Sequence, residues 1–368
     1  MKGQYFGAAD GDVIGTITVE FDEFEDMLTG SATLMPNDPG LPATWAKFPI
    51  MQKGDELEFD CSIFAVRRDG NLVANEDEFQ RLYPGATHGK RASIKVRFQS
   101  DDIVCEYETD IDTSGGGVLH GSKADSASEI SVVESVTDWQ SFKIYVDTLS
   151  VDNVVFRGQP KPYKLRTSFH RTNRKDLARY IDQDLTSMSR YFEDQFEFSF
   201  RNSDDFGTFA NWLQHHGYPT PLLDWTTSPW VAAFFAFRSP AADDTKVRIF
   251  AFDKQAWCRD LAQFAQVSRV PPHFSFLSLG TRKNSRVGPQ KAVTFLTNID
   301  DIESYIAFCE QSKNRRYLYA VDLPASERPK VIYDLERMNV SPEILFPNTN
   351  EAVCEQFRNM HFHNRNGW

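Results

Sequence analysis

Apolar residues recur at every second position through the first third of the chain and at helical spacing from Trp139 onward, and few folds satisfy both halves of that pattern. The runs Val13 to Phe21, Glu56 to Phe59, Ser93 to Phe98 and Ile103 to Thr109 alternate as strands with one buried face do. Turn clusters at Pro36-Asn37-Asp38-Pro39-Gly40 and Arg68-Asp69-Gly70-Asn71 separate them, which predicts an antiparallel β-sandwich or barrel over residues 1–130. Ser114-Gly115-Gly116-Gly117 lacks the Gly-Lys-Ser/Thr ending and the following helix of a phosphate-cradling loop, so a hairpin turn is expected there. The small, polar run Ser122 to Ser131 reads as the linker into a second domain, residues 131–368.

This second domain reads as α+β with a mixed sheet. Helical spacing covers Trp139 to Leu149, Lys175 to Phe192 with the stripe Leu177, Tyr180, Ile181, Leu185, Met188 and Phe192, and a third segment from Ser203 that stops near Gly217. Strands are expected at Val154-Val155, Val247 to Phe252, Ala292 to Leu296 and Tyr317 to Leu323, with closing helices near Val331 to Met338 and Asn350 to Met360. The irregular stretch Pro271 to Pro289 has the length of loops that carry function or move.

Charge separates the two domains as sharply as period does. The first 135 residues hold 11 Lys and Arg against 25 Asp and Glu, while the whole chain carries −12, so the remainder is near neutral. Such an acidic half repels nucleic acid, and any nucleic-acid target would have to meet the second half. Five scattered cysteines with no Cys-x-x-Cys pair imply buried thiols rather than disulfides. Cys354 with His361 and His363 lacks the two tight pairs of a zinc site, so no metal is expected. The longest apolar run, Trp230 to Phe237, is too short for a membrane helix, and Met1 to Gly7 lacks the apolar core of a signal peptide. A cytoplasmic, non-membrane protein is the expectation.

The polar chemistry is concentrated in two segments between Val154 and Phe237. Phe156-Arg157-Gly158-Gln159 follows the buried Val154-Val155, which sets Arg157 at a sheet rim and lets backbone or ligand approach Gly158. The second segment runs from Gln214 through His215, His216, Gly217, Pro219 and Thr220 to Leu222-Leu223-Asp224-Trp225-Thr226-Thr227-Ser228. Ser228 before Pro229 and an apolar run is an N-cap, an N1 proline and a buried helix. Free N–H groups of that first turn, beside the hydroxyls of Thr226, Thr227 and Ser228, would suit a phosphate, with Arg157 as the forked cation.

These residues resemble the FRG domain family, whose Phe-Arg-Gly opening and Gln-His-x-Gly-x-Pro-Thr-Arg-Leu-Leu-Asp-Trp-Thr block precede Ser-Pro and an apolar helix. The resemblance spans roughly Trp139 to Phe357, with Pro221 in place of the block's basic residue. The family's Arg-x-x-x-Gln-x-Gly-x-Phe segment is loosened to Arg286, Gln290, Thr294 and Phe295, with Ala292 replacing the glycine. The resemblance implies an FRG-type α+β domain, in chains often belonging to bacterial mobile-element or phage-defence systems.

A more distant similarity to ADP-ribosyltransferases maps their phosphate-holding Arg to Arg157, their Ser/Thr segment to Thr227 or Ser228, and their third residue, often Glu, to Gln290. It implies NAD as substrate, and an enzyme of the ADP-ribosyltransferase or NAD glycohydrolase kind. Arg157, Gly158, Trp225, Thr226, Thr227, Ser228 and Arg286 would then hold the dinucleotide, while Arg157, His215, Asp224 and Gln290 would serve the chemistry. Neutral Gln290 cannot stabilise positive charge on a ribose as a carboxylate would. The alternative is a nucleotide- or protein-binding module with no chemistry.

Each residue also has a plainer reading. His215 or His216 is a general base or a C-cap group. Asp224 is a catalytic carboxylate or a turn lock. Trp225 stacks on a base or fills a core. Arg157 holds a phosphate or pairs with Asp224.

Overall fold

The computed structural model describes residues 3–150, 153–172, 174–192, 203–240, 242, 244–278, 286–347 and 349–358. His361 and His363 lie outside these residues. Two antiparallel sheets organise the chain.

The first sheet is a barrel. Strands β1 (Gly3–Gly11), β2 (Gly15–Phe24), β3 (Met27–Pro36), β4 (Ala43–Lys47), β6 (Glu56–Val66), β7 (Arg91–Gln99), β8 (Asp102–Thr109) and β9 (Ser114–Gly121) each pair with their neighbours, and β9 returns to β1. The short β5 (Met51–Gln52) extends the ring along β3. Of the two architectures the alternation allowed, the closed one is found, and closure removes the exposed sheet edges that a sandwich keeps. Inward residues such as Ile17, Val19, Phe21, Ile94, Val96 and Ile103 form its apolar core.

The glycine run at residues 115–117 lies inside β9, not in a turn as expected. The turn falls just before it, at Ile111-Asp112, with Asp112 at φ 58°. A Cβ on Gly116 or Gly117 would come within 2.3 Å of the Cys105 or Ala8 carbonyl oxygen, so neighbouring backbones close the ring against β9 at a distance only glycine permits.

Irregular chain leads from Gly121 to the helix Trp139–Thr148, which Asp138 opens with a capping box. The second sheet then has the order β13-β14-β11-β10-β12-β15. These strands are β10 (Val154–Gln159), β11 (Leu222–Thr226), β12 (Lys246–Asp253), β13 (Phe274–Leu277), β14 (Ala292–Thr297) and β15 (Leu318–Pro324). Every pairing among them is antiparallel, which corrects the mixed sheet expected from the sequence. Periodicity carries no strand direction, and long helical connections can return a chain into a sheet either way.

One face of this sheet packs on the helices Trp139–Thr148, Pro229–Phe237 and Arg328–Arg337, the other on Lys254–Asp260 and Ile302–Lys313. The stripe expected over Lys175 to Phe192 is one segment with a π-helical turn, Tyr180–Leu185, between short α stretches. None of the described helices is long and apolar enough to cross a membrane.

The two sheets meet through buried polar groups. Asp22, wholly buried on the barrel wall, accepts from Arg174 Nε at 2.7 Å and from the backbone N–H groups of Lys175 and Asp176 at 2.5 and 2.9 Å. Ser31 donates to Asp176 at 3.0 Å, and Gln4 both donates to the Asn298 carbonyl and accepts from the Asp300 N–H. Met35, Ala43, Trp45 and Val66 pack on Ala178 beside them.

Candidate functional site

β10 and β11 share a single ladder pair, Phe156 with Thr226, and part beyond it. Every other pairing of neighbouring strands in the second sheet has at least four pairs. Arg157 sits one residue past that last pair. Alternation puts Val155 and Arg157 on the face of the Trp225-Phe252-Trp257 core, and Val154, Phe156 and Gly158 on the opposite face. From there the Arg157 guanidinium reaches across the seam, and Nη1 donates to the Asp224 carbonyl. Its buried Nε has no hydrogen-bond partner among the described residues. Burial lowers the Arg157 pKa to about 10, Asp224 raises it in part, and Arg171 lowers it further.

Gly158 faces the other way. A Cβ there would stand 1.8 Å from the Ala232 carbonyl oxygen and 2.8 Å from the Ala236 nitrogen, so what approaches this glycine closely is the backbone of the helix Pro229–Phe237. The Arg-Gly pair thus serves two faces: the arginine addresses the seam, and the glycine admits the helix.

Around Asp224 the residues of the second segment are wired to one another. Gln214 Nε2 donates to Asp224 Oδ2 at 2.5 Å, and the Gln214 side-chain oxygen accepts from the Thr220 hydroxyl. His215, on the last turn of the helix Ser203–His215, has a pKa lowered by burial, with Asp224 raising it and Arg286 and His216 lowering it. Arg157, His215 and Arg286 therefore share the field of Asp224 or of one another. His216 bonds back to the Trp212 carbonyl at 2.8 Å and packs tilted against that residue's ring, the helix-end role of its plainer reading.

Thr226, Ser228 and Gln290 form a separate knot on the helix face. The Thr226 hydroxyl donates to the Gln290 carbonyl at 2.7 Å and accepts from the Ser228 N–H at 3.0 Å. The Ser228 hydroxyl caps Val231 N at 3.4 Å, and Thr227 N–H reaches the Lys291 carbonyl at 3.1 Å. Three donors of this helix mouth are thus satisfied within the protein, and Thr226 and Ser228 are buried. Thr227 is exposed. The Gln290 amide donates to the Leu345 carbonyl at 3.0 Å, and the Arg286 guanidinium lies 5.5 Å from the Phe346 ring. Trp225, only 3% exposed, packs between Phe252 and Phe295.

The structure therefore gathers Arg157, Asp224, His215 and Arg286 about the seam, ties Thr226, Ser228 and Gln290 together at the helix mouth, and sets Trp225 in the core. Sequence reasoning missed two members. Arg171 has no motif around it. Gln214 opens the block but showed its link to Asp224 only through the fold. Among the described residues no group of three His, Cys, Asp or Glu is arranged to hold a metal, and Cys61, Cys105, Cys258, Cys309 and Cys354 are unpaired.

An antiparallel sheet clad by helices, parted beside the strand that carries Phe-Arg-Gly and braced by a Gln-Thr-Asp network, defines an α+β domain rather than a doubly wound one. Residues 152–245 match the family model described as FRG domain, so the chain carries an FRG domain there. No curated protein and no solved structure matches the chain.

Proposed function

We propose that the seam of the FRG domain binds a phosphate-bearing nucleotide, with NAD the dinucleotide to which the order Arg157, Thr227 or Ser228, and Gln290 points. The observation that carries this reading is Arg157: a guanidinium whose buried Nε has no hydrogen-bond partner among the described residues, and whose Nη1 donates to a backbone carbonyl. Such a group is costly to keep without an anion. Arg171 and Arg286 add positive field, while Asp224 alone among these groups supplies negative charge. A pyrophosphate would restore the balance through forked, charge-assisted bonds.

In this reading Asp224 takes the part that neutral Gln290 cannot. It is the carboxylate available to a positively charged ribose as nicotinamide departs, and Gln214 holds it in place. His215, kept neutral near pH 7 by burial, is the base beside it.

Calorimetric titration of NAD and of ADP-ribose into the full chain tests this. Arg157→Ala is expected to lose about 1.5–3 kcal/mol of binding, and Arg157→Lys to lose part of it, since the charge remains and the fork does not. Chromatographic measurement of NAD consumption should fall in Asp224→Asn with NAD binding retained. If wild type binds neither ligand at millimolar concentration, the nucleotide reading fails. If it binds but consumes nothing, the site is a sensor.

A further inference from the structure

A run of hydrogen bonds leads from the barrel wall to Asp224. It begins at Asp22 on β2, which accepts from Arg174 Nε and from the N–H groups of Lys175 and Asp176. Glu20, two residues earlier on the same strand, accepts from Leu177 N at 3.2 Å, and Ser31 on β3 donates to Asp176. Residues 174–177 are therefore fixed to the barrel through backbone and side chains together. The turn before them is tied to that stretch, since the Thr172 hydroxyl donates to the Phe169 carbonyl at 2.7 Å and accepts from Arg174 N at 3.0 Å.

From two sides the same segment grips Pro219 and Thr220. Phe169 N donates to the Thr220 carbonyl at 3.1 Å, Thr220 N donates to the Ser168 hydroxyl at 3.0 Å, and the Tyr180 hydroxyl donates to the Pro219 carbonyl at 3.0 Å. Phe169 and Tyr180 meet edge to face at 4.9 Å and share one apolar core with Leu213 and Leu222, which lie on either side of the gripped residues in the chain. Thr220 is wholly buried, and its hydroxyl donates to Gln214 Oε1. That donor decides how the Gln214 amide lies. With Oε1 engaged by Thr220, Nε2 faces Asp224 Oδ2 and donates to it at 2.5 Å. Turned end for end, the amide would set its oxygen against a carboxylate. The amide has two discrete placements, and the Thr220 hydroxyl selects the one that binds Asp224.

We propose that the barrel is a positioning domain for the seam: through residues 167–180 it holds Thr220, and through Thr220 and Gln214 it fixes the Asp224 carboxylate. What that carboxylate does chemically rests on the nucleotide reading above, whereas the link from barrel to carboxylate does not. Ser168, Tyr180 and Thr220 are positioning residues that act through Gln214. Anything that loosens the barrel's hold on residues 174–177 then releases the amide and lowers turnover without entering the seam.

Hydrogen–deuterium exchange of the full-length protein, read by mass spectrometry, tests the link without a ligand. Asp22→Asn is expected to raise exchange about five- to tenfold in residues 167–180 and also in residues 214–222, with the β12 and β15 peptides as in wild type. Ser168→Ala, at an exposed position, should raise it in residues 214–222 while residues 174–177 stay protected. The proposal is overturned if Asp22→Asn loosens residues 167–180 alone, or if neither variant changes residues 214–222. It is equally overturned if β12 and β15 loosen by the same factor, which is global destabilisation. NAD turnover tests the consequence: Thr220→Val should lower kcat about tenfold with NAD affinity unchanged, and Thr220→Ser should restore it. A Thr220→Val protein that turns over NAD as wild type does also overturns the proposal. A wild type without NAD turnover removes the chemistry of the nucleotide reading alone, and the exchange result still decides the link.

Discussion

The two sheets of this protein are both antiparallel, yet one closes and the other splits, and each sheet gathers a different chemistry where it does so. In the barrel every backbone edge is paired around the ring, so no charge is needed to satisfy it, and the inward face is apolar. In the FRG domain β10 and β11 separate after Phe156 and Thr226, leaving carbonyls such as that of Asp224 to be met by a side chain. A guanidinium meets it. Where backbone pairing stops, polar side chains take over, and that is the physical reason the arginine of the motif sits where it does.

The seam is flanked by the segment from Tyr163 to Asp176, and this segment, together with the Gln4 contacts to Asn298 and Asp300, joins the two sheets. Leu165 belongs to the same core as Trp225, Phe169 N–H bonds to the Thr220 carbonyl, and Arg166 grips Asp300 at 2.5 and 3.0 Å. Its far end is held by barrel residue Asp22. The largest effect is therefore expected from Asp22→Ala, which strips a wholly buried carboxylate from Arg174 and from two backbone N–H groups. Removing one partner of a buried pair costs about 3–5 kcal/mol. Scanning calorimetry should show the FRG domain unfolding earlier while the barrel keeps its own transition. If both fall together by the same amount, the contrast between a self-sufficient barrel and a braced sheet is broken.

Next in size is a pH effect at the same junction. Burial raises the Asp176 carboxyl to about 6; the Arg179 N–H and Ser31 hydroxyl pull it down, and Asp22 pushes it up. The folded protein then holds a proton that the unfolded chain, with an ordinary carboxyl near 4, has already released. Stability from this group is greatest below pH 4, declines as pH climbs from about 4 to 6, and is lost above that. Asp176→Asn keeps an acceptor for Arg179 and removes the charge. The variant is expected to gain on the order of 2 kcal/mol at pH 7 relative to wild type, and to match it near pH 4. Denaturant midpoints at both pH values check this, and a variant weaker at pH 7 would mean that the ionised carboxylate is what the junction needs.

The legibility of the two regions follows the same divide. Strands at Val13 to Phe21, Ser93 to Phe98 and Ile103 to Thr109 could be read because one buried face forces alternation, and a closed ring preserves it from end to end. Gly115 to Gly117 misled because, with no side chains, they show no alternation, and only the nearness of the Ala8 and Cys105 carbonyls reveals a strand. In the FRG domain the Ser228 cap and Pro229 helix were legible as local chemistry. Strand direction was not. β13 was hidden in the irregular stretch because four residues are too few to show a period. The motif also carries no sign of which face each residue takes beyond the strand rule that Asp224 and Trp225, as neighbours on one strand, point to opposite sides.

That opposition frames the smallest expected effect, at Trp225. Its buried indole N–H has no partner among the described residues, and its ring packs on Phe252 and Phe295 on the face from which Arg157 springs. Trp225→Phe removes ring volume, which destabilises, and also removes an unmet donor, whose desolvation cost of about 1–3 kcal/mol is recovered. The two terms oppose each other, so the net change in stability should stay within about 1 kcal/mol. Nucleotide affinity should not change if a ligand meets Arg157 from the Asp224 and His215 side of the seam. Should the substitution weaken NAD binding by more than tenfold while the unfolding midpoint holds, the indole is a stacking surface, and the ligand enters from the core face instead. A midpoint that drops with affinity unchanged identifies Trp225 as packing alone, and leaves the seam's polar side as the place where the split sheet does its work.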